Sequence, residues 1–180
     1  MSRMNTDLDN VLDTRLALRP IGIDDYSAVR HLHTTSLRAQ TYGVLSDAEV
    51  VAFVRLVYSP AYAAILMKED VYGAWLDGEL VGTVGWQANG GNGLIARIGC
   101  IFVRHQGYGI GRRLLAGVEG RAQQCGFSRL AAGVTANAVP FFQRQGYALA
   151  SRGRKTLSLG CTLPVTFLRK DTPSPRSALN

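Results

Sequence analysis

Cysteine is scarce in this chain. There are three in 180 residues, and Cys100, Cys125 and Cys161 lie far apart, odd in number and without the close spacing of metal ligands. That pattern argues against a disulfide-stapled scaffold and against a zinc site, and it fits reduced thiols in a metal-free cytoplasmic protein. Long apolar runs are also lacking. None approaches the roughly 20 residues of a membrane-spanning helix, and the opening MSRMNTDLDN has no secretory core. The expectation is a soluble monomer or homodimer with no membrane partner. Acidic residues are the third shortage: 13 Asp and Glu stand against 20 Lys and Arg, for a net charge of +7. The basic residues Arg152, Arg154, Lys155, Arg169, Lys170 and Arg176 do not form one dense block, and no nucleic-acid reading motif accompanies them. No specific nucleic-acid partner is therefore expected, and a small anionic ligand accounts for the charge equally well.

What is present reads as one globular domain, with hydrophobic residues at 47% and a length sufficient for a proper core. RLALR ahead of Pro20 suggests a first strand. A helix then follows with Asp24 as its N-cap and Ala28, Val29 and Leu32 on one face. Ser46 and Glu49 have the spacing of a capping box for a second helix, which Ser59-Pro60 should end. VYGAWL and LVGTVGW flank Asp77-Gly78, a strong hairpin signal. After the loop ANGGNG, LIARIGCIFV reads as a central strand. A helix with Leu114, Val118 and Ala122 in step should stop at Gly126. SRLAAGVT, AVPFFQRQGY and the pair ALASRGRK and TLPVTFLRK then suggest a strand, a short helix and two closing strands. The order predicts an α/β (α+β) fold, a mixed and mostly antiparallel sheet of about seven strands flanked by helices. The domain should span 15–170, with a flexible extension at 1–14 and a disordered tail at 171–180.

The most unusual stretch is QGYGIGRRLL, in which Gly107, Gly109 and Gly111 alternate just before the central helix. Unpaired amides at a helix start favour an anion, and glycines let them curl around phosphate oxygens. Two familiar phosphate loops fail on spacing. Gly111-Arg112-Arg113 is not the Gly-Lys-Ser/Thr of a Walker A loop, and neither register of G-x-G-x-x-G ends on glycine.

The remaining pattern, Gln106-x-x-Gly109-x-Gly111 followed by Leu114 and Leu115, resembles the signature of the GNAT (N-acetyltransferase) superfamily; Arg104-x-x-Gly107-x-Gly109 also matches, but the first register places the leucines as the family does. NAVPFFQRQGY is similar to that family's second element, an Asn-Ala, two aromatics, then Gly and an aromatic. The resemblance covers about residues 15–170 and implies acetyl-CoA, or another acyl-CoA, as donor to an amine of a small molecule or protein. It implies that the cofactor phosphates sit on backbone amides across Gln106, Gly107, Tyr108, Gly109, Ile110, Gly111 and Arg112. The pantetheine arm would pair with Ile101, Phe102 and Val103, Asn137 and Phe142 would contact the cofactor, and a strand bulge would admit the thioester.

Two departures from the family stand out. The strand before the loop lacks the usual carboxylate and offers Arg97 and Cys100 instead, with Cys100 read as a buried thiol or a base. The family's general-acid tyrosine falls on Phe142, which cannot donate a proton. Solvent could protonate the leaving thiolate, Tyr147 could substitute, or activity could be weak, leaving a CoA-binding module as the alternative to an enzyme. His31 and His33 read as solvated helix residues, with His33 and Tyr42 as candidates for the acceptor groove beside Trp86, and Glu69 and Asp70 read as exposed.

Overall fold

The computed structural model describes residues 14–88 and 95–173. Most of the loop ANGGNG, the extension up to residue 13 and most of the tail lie outside the described residues. Among the described residues seven strands form one sheet in the order β1-β2-β3-β4-β5-β7-β6. In chain order they are β1 (Leu16–Pro20), β2 (Asp70–Leu76), β3 (Glu79–Ala88), β4 (Ile95–Val103), β5 (Arg129–Val134), β6 (Ala148–Thr156) and β7 (Thr162–Asp171). Only β4 and β5 run parallel; every other neighbouring pair is antiparallel. The mixed, mostly antiparallel sheet expected from the sequence is therefore present. β7 extends to Asp171, one residue into the stretch assigned to the tail, and Thr172 beyond it is buried.

Among the described residues five α-helices flank the sheet: α1 (Tyr26–Gln40), α2 (Asp47–Val57), α3 (Pro60–Lys68), α4 (Ile110–Gln124) and α5 (Val139–Arg144). The capping box of α2 is present, with Ser46 and Glu49 each accepting from the other's backbone amide. At α1 the expected cap at Asp24 is replaced by a 3-10 turn over Ile23–Asp25, where Asp25 accepts from the Gly22 amide. α3 has no counterpart among the elements expected from the sequence. Ser59-Pro60 does end α2, but Pro60 occupies the first turn of a new helix, where its missing N–H costs nothing. No single helix among the described residues is long and apolar enough to cross a membrane.

Both turn signals behave as expected. Asp77 and Gly78 have φ of 51° and 84°, the left-handed pair of a type I′ hairpin joining β2 to β3. Gly126 takes φ of 91°, and the Phe127 amide reaches back to the Ala122 carbonyl to close α4. Apolar residues pack on both faces of the sheet. One core joins Leu114, Val118 and Ala122 of α4 to Val81, Val84 and Ile98. The other joins Val29, Phe53, Leu56 and Leu66 of α1, α2 and α3 to Val71, Leu80 and Val165.

Candidate active site

The parallel pairing of β4 and β5 ends early. It runs from Ile95 opposite Arg129 to Ile98 opposite Ala132, after which β4 pairs only with β3 and β5 only with β7. The two halves of the sheet part there and leave an edge of β4 along Ile101 and Val103 that no strand covers, although the Val103 carbonyl accepts from the Gln40 carboxamide and the Ser36 hydroxyl of α1. Two cavities meet at this opening, and both are lined by Ile101 and Ala138.

The larger, of about 330 Å³, lies on the side of the glycine loop. Ile101, Val103, Gln106, Gly107, Gly109, Ile110, Gly111, Arg112, Asn137 and Phe142 all line it, so most of the expected cofactor residues do come together. Gly107 and Gly109 have φ of 88° and 77°, a backbone that side chains rarely tolerate. Gly109 caps α4 with no side-chain hydrogen bond, so the first amides of this fifteen-residue helix face the cleft without intrahelical partners. The Oδ1 of Asn137 is buried with no hydrogen-bond partner, a second group prepared for a ligand. Helix amides for phosphate, a strand edge with no neighbouring strand for an amide-bearing arm and the orphaned Asn137 Oδ1 together fit a CoA-type molecule. Tyr108 and Phe102 are not among the lining residues. Tyr108 is exposed beside His105, and the Phe102 ring turns into the other cavity.

The smaller cavity, of about 140 Å³, is mostly apolar, with Phe53, Tyr62, Ile65, Ile98, Leu163 and Val165 among its walls. Its rim on β4 is a bulge. Thr83 faces Phe102 and Gly85 faces Gly99, two steps on β3 against three on β4, and the displaced Cys100 takes φ of 48°. A buried chain of hydrogen bonds holds that bulge. The Thr83 hydroxyl donates to the Cys100 carbonyl (2.7 Å), so Thr83 Oγ1 must accept from His33 Nε2 (2.8 Å). His33 Nδ1 then accepts from the Tyr62 hydroxyl (2.5 Å). The His33 ring also stacks on Phe102 at 4.2 Å.

The expectation of a solvated His33 is thus corrected: it is 0% exposed, and burial pulls its pKa down to about 3, so it is neutral. Along α1 the face that meets the sheet carries Val29, Leu32, His33 and Ser36, whereas His31 is exposed.

Glu69 overturns its expected exposure as well. It sits at the junction of α3 and β2, and its carboxylate fills the space that Gly85 and Gly99 leave empty where β3 and β4 pair. A Cβ on Gly85 would come within 2.4 Å of Glu69 Oε2, and one on Gly99 within 3.0 Å of Oε1. Burial raises the Glu69 pKa, while a hydrogen bond from Cys100 and the charges of Lys155 and Arg97 oppose the rise. Its Oε2 has no hydrogen-bond partner. Burial, then the Glu69 charge beside it, pushes the Cys100 thiol well up, so Cys100 stays protonated. The carboxylate absent from β4 is thus supplied at the same bulge from another element. No continuous motif carries it; two glycines facing across adjacent strands are the signal that was available.

Other candidates stand apart from the opening. Tyr42 is 94% exposed and lines neither cavity. Trp86 is buried in the core, with Nε1 donating to Asp70 Oδ2 at 3.0 Å, and Asp70 also pairs with Arg121. The Tyr147 hydroxyl donates to Glu119, which Lys170 also contacts, and burial raises the Tyr147 pKa far above its usual value. Phe142 is 0% exposed and meets the Tyr147 and Phe141 rings edge to face. Among the described residues no cluster of His, Cys, Asp or Glu could hold a metal ion.

Comparison with known proteins agrees with this geometry. An acetyltransferase (GNAT) domain model matches residues 42–161. No curated protein matches the chain in sequence. Among solved structures, a GCN5-related N-acetyltransferase from Rhodopseudomonas palustris superposes with a TM-score of 0.76 at 24% identity, over 87% of this chain and 96% of that one. The PaiA N-acetyltransferase from Thermoplasma acidophilum, in complex with coenzyme A, gives 0.68 at 16% identity, over 87% and 98%. The yncA protein from Salmonella typhimurium, with its cofactor acetyl-CoA, gives 0.59 at 18% identity, over 88% and 95%. At these identities the superpositions establish the shared fold, and the domain match, which spans more than half of the chain, establishes the family: this protein belongs to the GNAT acetyltransferases.

Proposed function

We propose that the protein transfers an acyl group, acetyl in the simplest case, from acyl-CoA directly to the amine of a small molecule. The observation that carries this reading is the pair of cavities that abut at Ile101 and Ala138, one suited to the donor and one to the acceptor. The coenzyme A and acetyl-CoA named with the Thermoplasma and Salmonella structures support the donor class.

Bound donor supplies the thioester, an activated carbonyl that needs only an amine lone pair. The first amides of α4 and the Gly107–Gly109 turn hold its phosphates. The edge of β4 that no strand covers holds its arm, and the Asn137 carboxamide bonds to it. Glu69 takes one proton from the acceptor's ammonium, and its raised pKa suits it to that task. The C–N bond then forms, the C–S bond breaks and the electron pair leaves on sulfur. Phe142 offers no proton, but a thiolate with an ordinary pKa near ~8.5 is a fair leaving group and takes the second amine proton through solvent. Net, one ammonium and one thioester yield one amide, one thiol and one proton.

Titration calorimetry with acetyl-CoA, followed by release of free CoA thiol across a panel of small amines, tests the reading. Binding with thiol release that depends on an amine is expected. Binding without release from any amine would instead favour a CoA-binding module, the alternative that Phe142 keeps open.

A further inference from the structure

The acceptor cavity carries two opposite charges on walls that are otherwise nearly all apolar. Among its lining residues the charged side chains are Glu69 and Lys155. They come from opposite halves of the divided sheet. Glu69 lies over the facing glycines of β3 and β4, next to the bulge. Lys155 lies on β6, where it pairs with Leu163 of β7. No ion pair joins the two among the described residues, although the Lys155 charge acts on the Glu69 carboxylate. The neighbouring cation is already committed: Arg154 pairs with Glu49 at 2.9 Å and donates to the Thr162 carbonyl. Tyr62 is likewise occupied by His33.

A plain alkylamine entering this cavity would satisfy Glu69 and bring its own positive charge toward Lys155. A molecule with an ammonium at one end and a carboxylate at the other answers both walls at once, and pairing matters most where apolar surroundings leave a charge poorly solvated. The volume limits the body between those ends. About 150 Å³ of apolar cavity accommodates a molecule of benzene size, and this cavity has about 140 Å³.

Resting on the acyltransfer reading above, we propose that the acceptor is a small amino carboxylate with an apolar body, its amine held by Glu69 at the bulge and its carboxylate by Lys155. Lys155 thus selects the substrate, and it takes no part in the transfer itself.

The experiment measures kcat/KM by thiol release, with acetyl-CoA as donor, for matched acceptors that differ only by the carboxylate. Leucine is compared with isopentylamine, and ε-aminocaproate with pentylamine, so that α- and ω-amino acids are separate arms. At least one amino carboxylate should exceed its decarboxylated counterpart by tenfold or more. Lys155→Met should lower that ratio at least tenfold, and Lys155→Glu should invert it, with acetyl-CoA affinity by calorimetry serving as the check that both variants are folded. Equal or better use of the plain amine in both pairs, or a ratio indifferent to both Lys155 variants, overturns the proposal while leaving acyltransfer intact. Thiol release from no acceptor of either kind overturns both readings.

Discussion

The two cavities that meet at the parted strands are built from different materials. The donor cleft is mostly main chain: helix amides, a turn of two left-handed glycines and a strand edge. The acceptor cavity is almost all side chain, drawn from α1, α2, α3, the bulge of β4 and the closing strands. Backbone geometry leaves a local mark on sequence, because only glycine takes certain φ values comfortably and only certain spacings start a helix. A side-chain cavity leaves none, because its walls are brought together from residues far apart in the chain. The first cavity could therefore be read in advance and the second could not.

The sharpest way to break the comparison is to disturb the acceptor side through its own backbone. Gly85→Ala places a methyl where Glu69 Oε2 now lies, and the flexible end of the glutamate is what must yield. If Glu69 is the base, displacing it should lower kcat/KM for any accepted amine by about 10²-fold, the lower end of what a general base contributes. Acetyl-CoA affinity measured by calorimetry should not change. Full activity in Gly85→Ala would remove Glu69 from the mechanism.

The limits of the sequence reading follow the same division. The strands, the hairpin at Asp77-Gly78, the capping box of α2 and the Gly126 stop were legible because each is a short-range signal. α3 was not, since a proline that ends one helix looks the same as a proline that begins the next. His33 and Glu69 were misplaced for a related reason. On α1 a histidine between Leu32 and Thr34 reads as solvated until a partner for each nitrogen is known, and those partners stand 29 and 50 residues away. Glu69 read as exposed because it ends a helix that had not been recognised.

His33 provides the second, intermediate test. Its folded pKa of about 3 lies below the ordinary value of 6.5, so the folded state refuses a proton that the unfolded chain accepts. The stability it secures is complete above about pH 6.5 and is lost as pH falls from there toward 3, at about 1.4 kcal/mol per pH unit. Between pH 6.5 and 5 this one residue should cost about 2 kcal/mol. Urea unfolding of wild type and His33→Gln at both pH values isolates the contribution, since the other carboxylates and histidines are common to both proteins. An equal loss in both would mean that His33 is not held neutral.

The smallest expected effect is on the donor side, where many weak contacts share the work. Gly109 has φ of 77° at the cap of α4, and a Cβ there would meet only the far end of Arg112 at 3.9 Å. Crowding within the protein is therefore not what Gly109→Val changes. Valine resists the left-handed backbone and adds bulk on the loop where phosphate oxygens must approach bare amides. Acetyl-CoA affinity should fall by about tenfold, equivalent to about 1.4 kcal/mol. The strand edge and Asn137 are untouched, which is why the loss should stop there. kcat at saturating donor should hold, since Glu69 and the bulge lie on the far side of the opening. If affinity is unchanged, the phosphates do not rest on this loop. If kcat falls instead while affinity holds, the two cavities are coupled through β4, and their separation into a main-chain half and a side-chain half does not extend to function.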